Sequence, residues 1–173
     1  LVFMPGLAEI QKLHESCAAS RVLFKATDNG SYLIALHSAL ATSESTIAFD
    51  KPKSKSSRKI IISTNIAETS ITIDDVVYVL DSGKVKENGY DPSTRMLQLK
   101  EQWISRASAK QRRGRAGRVQ PGQCYRLYSR RYHDEVFAER QEAEIKRVPL
   151  EGLCLQIQLQ RMSGGISGFL SRA

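Results

Sequence analysis

Apolar positions along this 173-residue chain fall into short continuous runs, separated by segments with a helical period. Residues 1–4 (LVFM) are such a run and stop at Pro5-Gly6, which predicts a strand ending in a turn. Leu7, Ile10, Leu13, His14 and Cys17 recur at helical spacing, so a helix is expected over 7–18. Residues 32–37 (YLIALH) read as a strand, and 43–50 as a short helix opening at Ser43. The runs at 59–63 (KIIIS) and 76–81 (VVYVLD) are apolar on both faces, as in parallel strands covered by helices on both sides. Residues 84–103 are polar and contain two alternating stretches, which predicts a β-hairpin turning near Asp91–Thr94. A helix over 106–117 and a last strand over 123–128 follow. An amphipathic helix over 149–160 is expected to carry Pro149 at its first turn. Strands alternating with helices imply an α/β sheet, with chemistry at the carboxyl ends of the strands, in the loops after Pro5, Ile62 and Asp81.

Composition adds a partner. The net charge is +8, and its placement is uneven. Nine of the 26 basic residues lie between Arg106 and Arg131 with no acid among them, leaving 17 to offset 18 acidic residues elsewhere. A focused basic patch suggests a polyanion, although a solvated charged face has the same composition. KPKSKSSRK at 51–59, with five basic residues and no apolar period, reads as an exposed loop. No apolar run approaches the roughly 20 residues that cross a bilayer. The opening LVFMPG lacks the basic region and cleavage site of a signal peptide and reads as a strand met part-way, so the chain is expected to be part of something longer. Cys17, Cys124 and Cys154 form no CxxC pair and stand apart from His14, His37 and His133, so they read as reduced thiols of an intracellular protein without a metal site.

The densest part of the patch is QRRGRAGR, residues 111–118. On a helix, Gln111, Arg115 and Arg118 share one stripe, being four and three residues apart. Gly114 and Gly117 lie on a neighbouring stripe, each costing about 1 kcal/mol relative to alanine, a cost that close approach of another backbone would offset. Two fixed guanidiniums and an amide suit phosphoryl transfer, where arginines neutralise a γ-phosphate and glutamine orients the attacking water. Counted by arginines alone, a generic nucleic-acid-binding helix fits as well.

STNIAETSITIDDVVYVLDSG at 63–83 and QRRGRAGR at 111–118 together resemble motifs V and VI of superfamily 2 helicases, in the DEAH-box branch. LVFMPG resembles motif IV, ALHSAL at 35–40 the next signature, FDKP at 49–52 the nucleotide-base loop, and QPGQCYRLYS at 120–129 the segment beyond motif VI. The resemblance covers nearly the whole chain. It implies a RecA-like three-layer sandwich, with a mainly parallel sheet flanked by helices and a protruding strand-separating hairpin at about 84–103. Residues 1–148 would be the second RecA-like motor domain, and 149–173 a helix leading toward a winged-helix-type domain. Gln111, Arg115 and Arg118 would face the γ-phosphate of ATP. Ser70 and Thr72 would lie near the phosphates and the catalytic water, Asp74 at the ribose and Phe49 on the base. Gly6, Ser38, Thr64 and Asn65 would lie along the RNA backbone. Taken alone, Ser70 and Thr72 also suit a turn, Asp74 a cap and Phe49 a core position.

A phosphate-cradling GxxxxGK[ST] is missing: the one Gly-Lys pair, Gly83-Lys84, has Tyr78 five residues before the glycine. Asp134-Glu135-Val136-Phe137 follows the basic run, not a buried strand, and reads as surface helix, not as a magnesium site. The expectation is therefore half of an ATP site. A first RecA-like domain of the same protein would supply the phosphate loop, the Mg²⁺ ligands and the general base, and RNA would cross both domains. The isolated segment is expected to be inactive, and the whole protein to act as a monomer in nucleus or cytoplasm. A non-catalytic nucleic-acid or partner-docking module and a DNA helicase are the alternatives.

Overall fold

The computed structural model describes residues 1–20, 32–39, 46–52, 57–91, 93–94 and 96–172. Its contacts divide into two compact units, Leu1–Lys86 with Glu101–Gln141, and Glu87–Lys100 with Glu142–Ala173.

The first unit is built on a five-stranded sheet. The strands are β1 (Val2–Phe3), β2 (Tyr32–Leu36), β3 (Lys59–Ser63), β4 (Tyr78–Asp81) and β7 (Gln123–Arg126), in the order β2-β3-β1-β4-β7 with parallel pairings throughout. The central position of β1 follows from its composition: a two-residue strand can be held only where neighbours pair on both sides, here Val2 with Ile62 and Leu80. On one face Phe3, Ile34, Leu36, Ile61 and Val79 meet Ala48, Ala67, Ile73, Val76 and Ala116 in the main core. Ile62 points to the other face, where α1 (Leu7–Ala18) buries Ile10 completely. The helix over 7–18 and the strand over 59–63 coincide with the expected bounds. The expected strands over 32–37, 76–81 and 123–128 are shorter at their ends. Of the helix expected over 43–50, residues 43–45 lie outside the described residues and only 46–47 are helical. Of the loop at 51–59, residues 53–56 lie outside them too.

β5 (Lys84–Asp91) and β6 (Met96–Trp103) form the expected hairpin. Its root carries a second core of Val85, Ile104, Ala109 and Phe137, with Trp103 and Tyr128 against it. The Lys84 ammonium sits 3.5 Å from the centre of the Trp103 ring, and Lys86 pairs with Glu9 of α1 at 2.7 Å. Toward the turn, Ser93 donates its amide and hydroxyl to Asp91 Oδ1 at 3.0 and 2.6 Å.

α3 spans Arg106–Gly114, opened by Ser105, whose hydroxyl accepts the Ser108 amide at 3.1 Å. The expected helix over 106–117 tightens after Gly114 into a 3-10 turn, Arg115–Gly117. The close approach expected at Gly114 and Gly117 is not found: a Cβ at either would meet nothing within 4 Å. These two glycines lie where the helix gives way to the tighter turn, where low helix propensity carries little penalty. The close approach occurs at Gly122 instead, where a Cβ would overlap the carbonyl oxygens of Ala116 and Val77. α4 (Arg130–Glu135) ends the segment read as surface helix; Asp134 and Glu135 are exposed, but Phe137 is buried in the hairpin-root core.

The second unit comprises the outer hairpin, a 3-10 turn at Glu144–Lys146, α5 (Glu151–Leu159) and α6 (Gly165–Leu170). Arg147 pairs with Glu87 at 2.9 Å and donates to the Asn88 carbonyl at 3.1 Å. Pro149 precedes the N-cap residue Leu150 and so stands outside the helix, not in its first turn.

Candidate functional site

Gly6 follows β1, Ser38 follows β2, and Thr64 and Asn65 follow β3, so these four residues stand at the carboxyl ends of three adjacent parallel strands. Backbone hydrogen bonds fix the ends to each other: Met4 N donates to Ser63 O at 2.8 Å, and Thr64 N to Leu36 O at 3.4 Å. Ser38 and Asn65 are exposed, whereas Gly6 and Thr64 are buried.

After Asn65 the chain makes one short helix, α2 (Ile66–Thr69), and then an irregular stretch through Ile73. This stretch receives the arginines of 111–118. Arg115 donates through Nη1 to the Ile71 carbonyl at 2.9 Å and through Nη2 to the Glu68 carbonyl. Arg118 donates to the Thr72 hydroxyl at 2.9 Å. Because residues three apart eclipse on a 3-10 turn, the tightening after Gly114 keeps Arg115 and Arg118 on one side. Burial first, and the like charge of Arg118 second, hold the Arg115 pKa below the ordinary arginine value. A guanidinium nonetheless remains charged. Arg118, Thr72, Ser70 and Gln111 are all exposed, so the buried Arg115 is backed by a polar rim facing solvent. Gln111, the third member of the expected stripe, is exposed on α3.

Phe49 is half exposed while its neighbour Ala48 is fully buried, so the ring is offered outward and is not a core residue. Lys59, the last basic residue of the loop, determines how this segment is held. Its ammonium accepts no solvent role: it donates to the Ala48 and Asp50 carbonyls at 2.9 Å each and pairs with Asp75 at 2.7 Å. One lysine thereby ties the Phe49 segment to the turn that bears Asp74 and Asp75. Asp75 is spent on that pair, which leaves Asp74 as the exposed carboxylate of the turn.

The residue that sequence reasoning missed is Arg112. It is completely buried. Its Nε donates to Glu68 Oε2 at 3.0 Å, and its Nη1 to Asp81 Oδ1 at 2.9 Å and to the Lys84 carbonyl at 3.2 Å. Its Cζ lies 4.8 Å from the centre of the Phe3 ring. Asp81 also accepts the Gly83 amide at 3.0 Å and the Tyr128 hydroxyl at 3.0 Å. Burial, and then the Asp81 charge, raise the Tyr128 pKa well above the ordinary phenol range. Burial likewise raises that of the nearby Cys124, so this thiol stays protonated and is a poor nucleophile. A periodicity that separates Arg112 from the Arg115 stripe was available in the sequence; the two carboxylates that make its burial tolerable come from positions 68 and 81 and were not. Among the described residues no group of three or more His, Cys, Asp or Glu is placed to hold a metal ion.

Known proteins resemble this chain along nearly its whole length. Residues 1–120 match the family described as helicase conserved C-terminal domain. The chain is 50% identical over all 173 residues to the Arabidopsis thaliana DExH-box ATP-dependent RNA helicase DExH4, chloroplastic, and covers 12% of it. It is 50% identical over 172 residues to the human ATP-dependent DNA/RNA helicase DHX36, covering 99% of this chain and 16% of that protein. The crystal structure of the E. coli DExH-box NTPase HrpB superposes with a TM-score of 0.76 at 33% identity, over 90% of this chain and 18% of that one. The fold is thus a RecA-like α/β sandwich with an added hairpin. The chain belongs to the helicase conserved C-terminal domain family, and its relatives are DExH-box RNA helicases. It spans about an eighth to a sixth of the length of the curated relatives it matches.

Proposed function

We propose that this chain is the second motor domain of an ATP-dependent RNA helicase, and that it lends Arg115, Arg118 and Gln111 to an ATP site completed by a first RecA-like domain of the same protein. The observation that carries this reading is the docking of Arg115 and Arg118 onto residues 68–72, the stretch that directly follows Thr64 and Asn65. A change in charge at a nucleotide phosphate would move the arginines, and the arginines hold the segment that leads back to the RNA-facing strand ends. Arg118 and Arg115 both act as fingers toward the γ-phosphate, Arg118 from an exposed position and Arg115 from the buried position in which it also holds the segment. Gln111 orients the attacking water, Ser70 and Thr72 line the phosphates, Asp74 takes the ribose, and Phe49 stacks on the base. Gly6, Ser38, Thr64 and Asn65 follow the RNA backbone, where amides and hydroxyls meet phosphate oxygens. The Mg²⁺ that accompanies ATP takes its protein ligands from the first motor domain in this reading.

Residues 1–148 act as the motor domain proper, and 149–173 begin a connection to a winged-helix-type domain. The whole protein works as a monomer in nucleus or cytoplasm; among the described residues no helix is long and apolar enough to cross a membrane. In the full-length protein, Arg115→Ala or Arg118→Ala should lower ATP turnover by about 10³-fold or more, the scale of an arginine finger, with RNA affinity nearly unchanged. Equal losses of turnover and RNA binding would instead mark a basic nucleic-acid-binding helix. The segment alone should show almost no magnesium-dependent ATPase. DNA as a second substrate is favoured by the name of the DHX36 relative, a DNA/RNA helicase. RNA and DNA affinities compared across salt concentrations decide between them, since phosphate contacts are common to both and 2′-hydroxyl contacts are not.

A further inference from the structure

Arg112 is in neither the arginine pair nor the strand-end cluster, yet it and its partner Asp81 are completely buried charged side chains near them. A lone buried guanidinium is costly, and pairing offsets the cost only with good geometry and several hydrogen bonds. Arg112 meets much of that condition by reaching three separate segments through Nε and Nη1 of one planar fork, while its Nη2 is buried without a hydrogen-bond partner. Nε holds Glu68 in α2, Nη1 holds Asp81 at the end of β4, and the same Nη1 reaches the carbonyl of Lys84, the first residue of the hairpin. Glu68 is bound from both sides, because its carbonyl accepts Arg115 while its carboxylate accepts Arg112. Asp81 is in turn fixed by the Gly83 amide and the Tyr128 hydroxyl, both beside the hairpin root.

Resting on the motor-domain reading above, we propose that Arg112 is a positioning residue that couples the nucleotide-facing arginines to the hairpin. The route is short and runs through buried side chains: Arg115 to Glu68, Glu68 to Arg112, Arg112 to Asp81 and the Lys84 carbonyl. A shift of Arg115 displaces the Glu68 backbone, and the buried fork passes that displacement to the first residue of β5. Lysine cannot reproduce this. Its single ammonium keeps the charge but cannot address Glu68, Asp81 and a carbonyl along fixed directions.

The spatial chain by itself does not measure coupling, so the test reads coupling directly. In the full-length helicase, Arg112→Lys and Asp81→Asn are compared with wild type for three quantities: melting temperature, RNA-stimulated ATP turnover, and ATP consumed per base pair unwound. The expected result is turnover within about threefold of wild type, with ATP consumed per base pair rising by about 3- to 30-fold, the range of coupling effects along such networks. Proportional loss of turnover and unwinding, leaving the ratio unchanged, overturns the proposal and makes Arg112 a fold-stabilising residue only. An unchanged ratio with unchanged turnover overturns it as well. If Arg112→Lys does not fold, Asp81→Asn, which weakens the Arg112–Asp81 pair, and Tyr128→Phe, which removes a hydroxyl that fixes Asp81, carry the same ratio test. Arg115→Ala separates the two readings. Retained ATPase in that variant defeats the arginine-finger reading, whereas lost ATPase with an unchanged Arg112→Lys ratio defeats only the coupling.

Discussion

Two stretches of the same basic run, 111–118 and 125–131, have nearly equal arginine density but opposite fates. Arg112 and Arg115 are buried and each is held by groups from distant parts of the chain, at positions 68, 71, 81 and 84. Arg130 and Arg131 keep side-chain exposures of 95% and 81% and pair with Asp134 and Glu135 one helical turn away. The first pattern ties together segments distant in sequence. The second decorates a six-residue helix with local pairs in high dielectric, where side-chain entropy and screening cancel most of the attraction. Basic character is therefore one property of this region, and placement of charge for chemistry is another.

The comparison is broken most easily at Arg112. Arg112→Ala strands two buried carboxylates and should cost about 3–5 kcal/mol of the stability of this domain, read as a large fall in its melting temperature. A cost below about 1 kcal/mol would mean that water reaches the cluster and that burial there counts for little. An intermediate effect is expected in alkali. Tyr128 is protonated more firmly in the folded chain than its ordinary value near 10, so the stability it contributes is fully present below that pH. This contribution is lost as pH rises through the higher folded value. Tyr128→Phe should flatten the alkaline fall in melting temperature above about pH 10; an unaltered fall would show that burial beside Asp81 does not hold the phenol protonated. The smallest effect belongs to the second stretch: Arg131→Ala should change stability by about 0.5 kcal/mol or less, and a loss as large as that of Arg112→Ala would erase the distinction between the two regions.

Much of the frame was legible before any coordinates. KIIIS at 59–63 has β-branched residues on both faces, so burial and strand pairing agree there, and its bounds are as expected. The hairpin was legible because alternating stretches flank a strong turn signal at Asp91. Helix ends were less so: the change from α to 3-10 after Gly114, and Pro149 lying outside α5, depend on what the last turn and the cap can bond to. The glycine spacing in QRRGRAGR pointed to close packing at 114 and 117, and Gly122 is where the backbones meet.

What the sequence determined by itself was local: periodicity, turn chemistry, and the clustering of arginines at 106–131. Those signals act over a few residues, so they can be read in order along the chain. Only the tertiary structure decided which arginines are buried, because the groups that make burial tolerable for Arg112 come from 44, 31 and 28 residues away. Lys59 is the same case in reverse, a residue of a basic loop that becomes a buried clamp once Ala48, Asp50 and Asp75 converge on it. A charge carries no mark in the sequence of whether it will face water or a distant carboxylate, and its desolvation is settled only when the sheet brings those segments together.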